Sequence, residues 1–114
     1  MQYVTKKLDG RYSHKKYFKY FLEFKKEHEG PLQFHIATKW MMDVYGYTAE
    51  IRDWQYILES HKQQLLWNLT AEDTPSMVNY SWSWANSYNE RRIYIKSDKE
   101  LAFFKLKWPI SSRG

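Results

Sequence analysis

The sequence predicts an α+β protein in which helices pack on an antiparallel sheet. Two segments, near 78–84 and 91–96, alternate between apolar and polar residues, which is typical of strands. Two others, near 37–45 and 51–65, carry apolar residues at spacings of three and four, which is typical of amphipathic helices. The 114 residues contain no repeat and no linker-like stretch, so we expect one α+β domain over residues 1–114.

The first two elements are predicted to form a hairpin. Tyr3-Val4-Thr5 precedes Asp9-Gly10, which predicts a short strand entering a turn. Residues 17–26 fit two periods. Strand alternation places four residues on one side: Phe18, Tyr20, Leu22 and Phe24. Helical spacing, with Ser13 as a cap, groups a different four: Tyr17, Phe21, Phe24 and His28. We favour the strand, as the second arm of the hairpin.

Two helices are predicted in the middle of the chain. The first follows the break at Gly30-Pro31 and stops at Gly46, and its apolar face is Ala37, Trp40, Met41, Val44 and Tyr45. The second has Thr48 as its expected cap, and its apolar face is Ile51, Trp54, Leu58, His61 and Leu65. Residues 70–76 include Asp73-Thr74-Pro75, which indicates a loop.

A second hairpin and a last helix complete the predicted elements. In the clearest strand, Asn and Ser alternate with four large apolar residues: Val78, Tyr80, Trp82 and Trp84. A turn over 86–89 leads to a strand over 91–96, with Ile93 and Ile95 on one side. Ser97 or Asp98 caps the last helix, which ends before Pro109.

The predicted order is β-β-α-α-β-β-α. Because amphipathic helices must bury their apolar faces on the sheet, we expect a two-layer sandwich of two hairpins with the helices on one face. A ferredoxin-like sheet whose last strand has moved to the front fits this order. The strands near 17–26 and 91–97 would then be adjacent at its centre. A loosely related α+β layout is the alternative.

Short aromatic motifs carry a resemblance to a known group. The segment over 92–108 reads as a strand, an acidic cap and a closing Phe-x-Leu-x-Trp. Phe18-Lys19-Tyr20 comes early in the chain, and Trp40 precedes Gly46. In these features the chain resembles small uncharacterised proteins of tailed phages that infect marine bacteria. The resemblance implies a phage source, and so the cytoplasm of a host cell, and it implies no activity.

Several classes of chemistry lack their residues. The absence of cysteine excludes disulfides, thiolate metal sites and thiol nucleophiles. The four histidines show no metal-ligand spacing, and the four glycines form no phosphate-binding loop. No apolar run is long enough to span a membrane, so we expect a soluble cytoplasmic protein. Because no catalytic motif is found, we also expect no catalytic residues, metal or cofactor. A metal-dependent nuclease is the least favoured alternative, and its carboxylates would be Asp43, Glu50, Asp53 and Glu59.

The charge is divided along the chain. The net charge of +5 is the sum of +5 over residues 1–28, −5 over 29–90 and +5 over 91–114. If the fold brings the two basic ends together, they form a positive surface for polyanions.

In the permuted ferredoxin-like sheet, basic residues would lie beside exposed aromatic residues. On its outer side Phe21 and Tyr94 would form a platform that stacks bases. Four basic residues would flank the platform and hold phosphates: Lys19, Lys25, Arg92 and Lys96. Single-stranded nucleic-acid binding is therefore the alternative function, and it disappears if residues 17–26 form a helix, because Phe21 then belongs to the core.

Aromatic abundance favours a different first function. The chain has 6 Trp, 10 Tyr and 6 Phe, and aromatic side chains anchor protein interfaces. Trp82, Trp84 and Trp108 exceed what one small core needs. We therefore expect a non-catalytic accessory protein that acts by protein–protein interaction or self-association, with these three tryptophans in the interface.

Overall fold

In the part of the chain that the structure describes, three helices and a four-stranded antiparallel sheet confirm the α+β class. A computed structural model describes residues 3–10, 13–25, 29–66, 78–87 and 90–109. The strands are β1 (Tyr3–Lys7), β2 (Tyr20–Phe24), β3 (Trp82–Ser87) and β4 (Glu90–Ile95). The helices are α1 (Gly30–Tyr45), α2 (Ile51–Leu66) and α3 (Asp98–Lys107), and a 3₁₀ turn (Ser13–Lys16) precedes β2.

The sheet has the order β1-β2-β4-β3, and neighbouring strands are antiparallel. The strand interpretation of residues 17–26 is thereby confirmed over β2, which is the second arm of the first hairpin. Strands β2 and β4 lie at the centre, where Leu22 faces Ile93 and Phe21 faces Tyr94. This order is compatible with the permuted ferredoxin-like arrangement, which stays a prediction.

Helices α1 and α3 cover the first face of the sheet. Alternate residues of β2 and β4, such as Leu22 and Ile93, point into this layer and are fully buried. The ring of Phe104 on α3 packs edge-on against Tyr3 of β1 and Trp40 of α1. The first face of the sheet therefore forms an apolar core with α1 and α3.

Helix α2 packs on the second face, so the expectation that all helices share one face is wrong. A separate buried cluster joins Phe21 and Tyr94 on the sheet to Ile51, Trp54 and Leu58 on α2. The physical reason is that both faces of the central strands carry large apolar side chains. Each face then requires its own cover, and α2 supplies the second.

The chain reaches the second face by passing along the outer edge of β3. Glu50 forms an isolated parallel bridge with Trp84 of this edge strand. The indole nitrogens of Trp82 and Trp84 donate to the carbonyls of Gly46 and Thr48, at 2.9 and 3.3 Å. These bonds attach the connection between α1 and α2 to the sheet edge.

Two helix starts differ in detail from the prediction. Helix α1 begins at the Gly30-Pro31 break itself, because proline is compatible with a first helical turn. A Cβ on Gly30 would lie 1.7 Å from the carbonyl oxygen of Lys25, so only glycine fits there. Helix α2 begins after Glu50, whose side chain accepts the amide of Arg52, while Thr48, the expected cap, is buried at the sheet edge.

The second hairpin is shifted along the chain. Strand β3 begins at Trp82, and Val78 and Tyr80 precede it. Of the turn predicted over 86–89, residues 86 and 87 belong to β3, which ends at Ser87, and residues 88 and 89 lie outside the described residues. Helix α3 follows Ser97 and ends before Pro109, as predicted. The loop predicted over 70–76 lies outside the described residues.

Candidate functional site

The two rings of the predicted stacking platform are neighbours but are not accessible. Phe21 and Tyr94 are cross-strand partners with ring centroids 6.0 Å apart. Their exposed fractions are 0% and 1%, because the cluster beneath α2 covers them. Neither ring offers an open face to a base, so the platform expected from the sequence is not formed here. Both side chains belong to the second core.

Arg92 is half-buried beside the same cluster. Its guanidinium lies 4.6 Å from the centroid of the Phe21 ring and donates a 2.8 Å hydrogen bond to Glu23. Burial disfavours the charge, but hydrogen bonds with Tyr94 and Glu23 outweigh it and raise the pKa of Arg92. For Tyr94 the direction of the burial effect is the opposite, and burial raises the pKa of its hydroxyl. Arg92 is thus engaged within the protein and does not present its charge as an isolated phosphate-binding group.

The three predicted lysines lie at opposite ends of the sheet. Lys25 follows the last residue of β2. Lys19 precedes β2 and Lys96 follows β4, and the Lys19 amide donates to the Lys96 carbonyl at 3.2 Å. The Nζ of Lys19 also forms a 2.8 Å ion pair with Asp98. The structure therefore brings Lys19 and Lys96 together and leaves Lys25 apart from them.

The three tryptophans predicted to lie in an interface all pack in or against the first core. Trp82 is fully buried in the first core, so its assignment to an interface is corrected. Trp84 and Trp108 are half-buried against the same core. The Nζ of Lys107 lies 5.2 Å from the centroid of the Trp108 ring. The alternation that marked β3 as a strand also placed Trp82 on the side that faces α1.

A different apolar surface is exposed, and the sequence analysis did not identify it. We define the α1–α3 face as Ile36, Trp40, Val44, Phe103 and Leu106. The rings of Trp40 and Phe103 join the two helices with centroids 5.5 Å apart. Leu106 is 79% exposed, and three others of this set are also exposed: Ile36, Val44 and Phe103.

A groove of about 590 Å³ adjoins this face. It is lined by Phe103, Leu106, Lys99 and Glu100 of α3, and by Tyr45 and Ser81. The sequence contained a partial signal, which does not show which residues are exposed: α3 carries apolar residues on both sides of the helix, at Leu101 and Phe104 and again at Phe103 and Leu106. A single buried face cannot hold all four.

The carboxylates considered for a nuclease do not converge. Asp43 is exposed on α1, Glu50 precedes α2, and Asp53 and Glu59 are exposed on α2. Among the residues that the structure describes, no group of three or more His, Asp or Glu side chains could hold a metal ion. The arrangement of these acids therefore gives no support to metal-dependent cleavage.

Comparisons add no assignment to this geometry. Within the described ranges, no helix is long and apolar enough to cross a membrane. Known protein families, curated proteins and solved structures, when compared with this chain, give no match.

Proposed function

We propose that this chain is a non-catalytic interaction protein that binds a protein surface through the α1–α3 face. The observation that carries the proposal is the exposed apolar set that spans two helices. Large contiguous patches of exposed apolar surface are uncommon on monomeric proteins and mark interaction sites. The phage source and the cytoplasm of a host cell remain parts of this proposal that rest on the sequence.

The composition of the face fits a protein partner. Trp40 and Phe103 provide rigid aromatic area, which is enriched in the energetic centres of interfaces. The charged side chains of Lys99 and Glu100 border the adjoining groove, as polar residues do at the rim of an interface. A second copy of this chain is the first partner to test, because self-association requires no other component.

The test replaces two apolar side chains of α3 by polar ones. Phe103→Gln with Leu106→Gln keeps helix-forming residues at both positions and removes two exposed apolar side chains of the α1–α3 face. If the face mediates self-association, light scattering after size exclusion should give a mass above the 14.0 kDa monomer at high protein concentration. The double variant should then elute as the monomer.

A matched control lies on the opposite side of the protein. Tyr56 on α2 is 75% exposed, so Tyr56→Gln also removes an exposed aromatic ring. This variant should associate like the parent. If the parent is a monomer at every concentration, the partner is a different protein. The parent should then capture that protein, and the double variant should not. Equal behaviour of the parent and the double variant in both assays would reject the proposal.

A further inference from the structure

A second surface, at one end of the sheet, collects positive charge. We define the lysine end as Lys7, Lys15, Lys16, Lys19 and Lys96. The register pairs Lys7 with Tyr20, and Tyr20 with Ile95. Strands β1 and β4 therefore end, and β2 begins, at the same end of the sheet. Lysines from the basic N-terminal segment thereby meet one from the basic C-terminal segment.

The lysine end surrounds a recess of about 310 Å³. All five lysines line it, together with Leu8, Tyr17 and Phe18. The ring of Tyr17 holds two ammonium groups near its face: the Nζ atoms of Lys16 and Lys62 lie 5.8 and 5.5 Å from its centroid. Tyr17 is itself fixed by an edge-on contact with Trp54 of α2, with ring centroids 4.9 Å apart.

Little negative charge balances this surface. Asp98 pairs with Lys19, accepts a hydrogen bond from Tyr20 and interacts electrostatically with Lys7. Asp9 is exposed and follows Lys7 by two residues in the sequence. Within the described part of the chain, Lys7, Lys15 and Lys96 form no ion pair with a carboxylate. Lys15 and Lys96 keep their charge available to a ligand, and Lys7 interacts with Asp98 only at longer range, without an ion pair.

We infer that the lysine end binds the phosphates of a single-stranded nucleic acid. The ammonium groups extend over three adjacent strands, spaced about 4.8 Å apart, and the 3₁₀ turn. Positive charges spread over three strands and a turn fit a chain of phosphates better than they fit one small anion. Because the lysines surround a recess, a strand that can bend follows them more closely than a stiff duplex does.

Salt dependence gives the first measurement. If three to five phosphates are neutralised, the logarithm of the binding constant should fall with the logarithm of salt with a slope of about −2 to −3.5. Anisotropy of a short labelled DNA or RNA strand should then show binding about 15- to 130-fold weaker at 200 mM than at 50 mM salt.

Charge-reversal variants locate the binding. Lys15→Glu with Lys96→Glu should weaken binding at low salt at least tenfold and make the salt slope less steep. Lys25→Glu with Lys105→Glu is the control, because both of its lysines are exposed and lie outside the lysine end. Each pair lowers the net charge from +5 to +1, so a general charge effect is the same in both.

Three outcomes would overturn the inference: no binding at low salt, equal weakening by the two charge-reversal pairs, or tighter binding of a duplex than of a single strand. The inference does not depend on the α1–α3 face. The variant with Phe103→Gln and Leu106→Gln should bind nucleic acid like the parent, so failure of one proposal leaves the other testable.

Discussion

Phe21 lies beneath the guanidinium of Arg92 and beside the ring of Tyr94. Arg92 is held in turn by Glu23, which also lies 3.9 Å from the Nζ of Lys6. One apolar ring therefore supports an ion-pair network on the second face of the sheet. At the residue scale, the role of Phe21 is to fill the core and to orient Arg92.

The substitution Phe21→Ala should therefore act on stability. Removing a fully buried phenylalanine ring usually costs about 3–5 kcal/mol, and the contact with Arg92 is lost as well. The free energy of unfolding, measured with urea, should fall by this amount. Val4→Ala, on an exposed residue of the same face, should cost less than about 1 kcal/mol. If Phe21→Ala lowers the free energy of unfolding by less than about 1 kcal/mol, the buried position of Phe21 is contradicted.

At the scale of elements, the connection from α1 to α2 decides the architecture. Gly46 has φ at +95°, a conformation that L side chains rarely adopt. Its amide donates to the Met42 carbonyl at the end of α1, and its own carbonyl accepts the indole of Trp82. This glycine both ends the helix and starts the passage along the sheet edge.

Gly46→Ala should destabilise the protein by about 1–3 kcal/mol, because alanine is strained at this φ. Thermal unfolding followed by circular dichroism would measure the loss. Gly10→Ala is the matched control, since an added Cβ there meets no atom within 4 Å. If both variants unfold at the temperature of the parent, Gly46 does not have the proposed conformation.

At the scale of the whole molecule, Asp98 joins segments from opposite ends of the chain. Its carboxylate accepts hydrogen bonds from the Nζ of Lys19 and from the hydroxyl of Tyr20. These two bonds connect the start of β2 to the first turn of α3. The bond from Lys19, and then that from Tyr20, hold the pKa of Asp98 below its ordinary value.

Because the folded pKa is lowered, the stability that Asp98 provides is present above its unfolded pKa and is lost as the pH falls through the folded value. The melting temperature of the parent should therefore fall more steeply below about pH 4 than that of Asp98→Asn. Asp43→Asn, on an exposed acid of α1, should follow the parent. Identical profiles for the parent and Asp98→Asn would contradict the coupling.

Local pattern was enough to predict most of the elements but not which surfaces are exposed. The helical spacing predicted the buried face of α2, including Ile51, Trp54 and Leu58, because such spacing depends only on the helix period. Alternation placed Ile93 and Ile95 on one side of β4 for the same reason. Neither pattern states which element covers the other side.

The candidate sites depended on that missing information. Phe21 and Tyr94 were correctly predicted to be cross-strand neighbours, but their exposure was decided by where α2 packs. Phe103 and Leu106 received no functional role from the sequence, because an apolar residue on a helix reads equally as core or surface. A contact between helices distant in the chain was needed to separate the two.

The sequence by itself determined the α+β class, the order of the elements, the pairing of two hairpins and the two basic ends. These features follow from local periods and turn residues, which act over a few positions. Only the tertiary structure decided that α2 crosses to the second face, that Lys19 meets Lys96, and that the α1–α3 face is exposed. Each of these depends on contacts between residues far apart in the chain, where the burial of apolar area on both sides of the sheet is the deciding free energy.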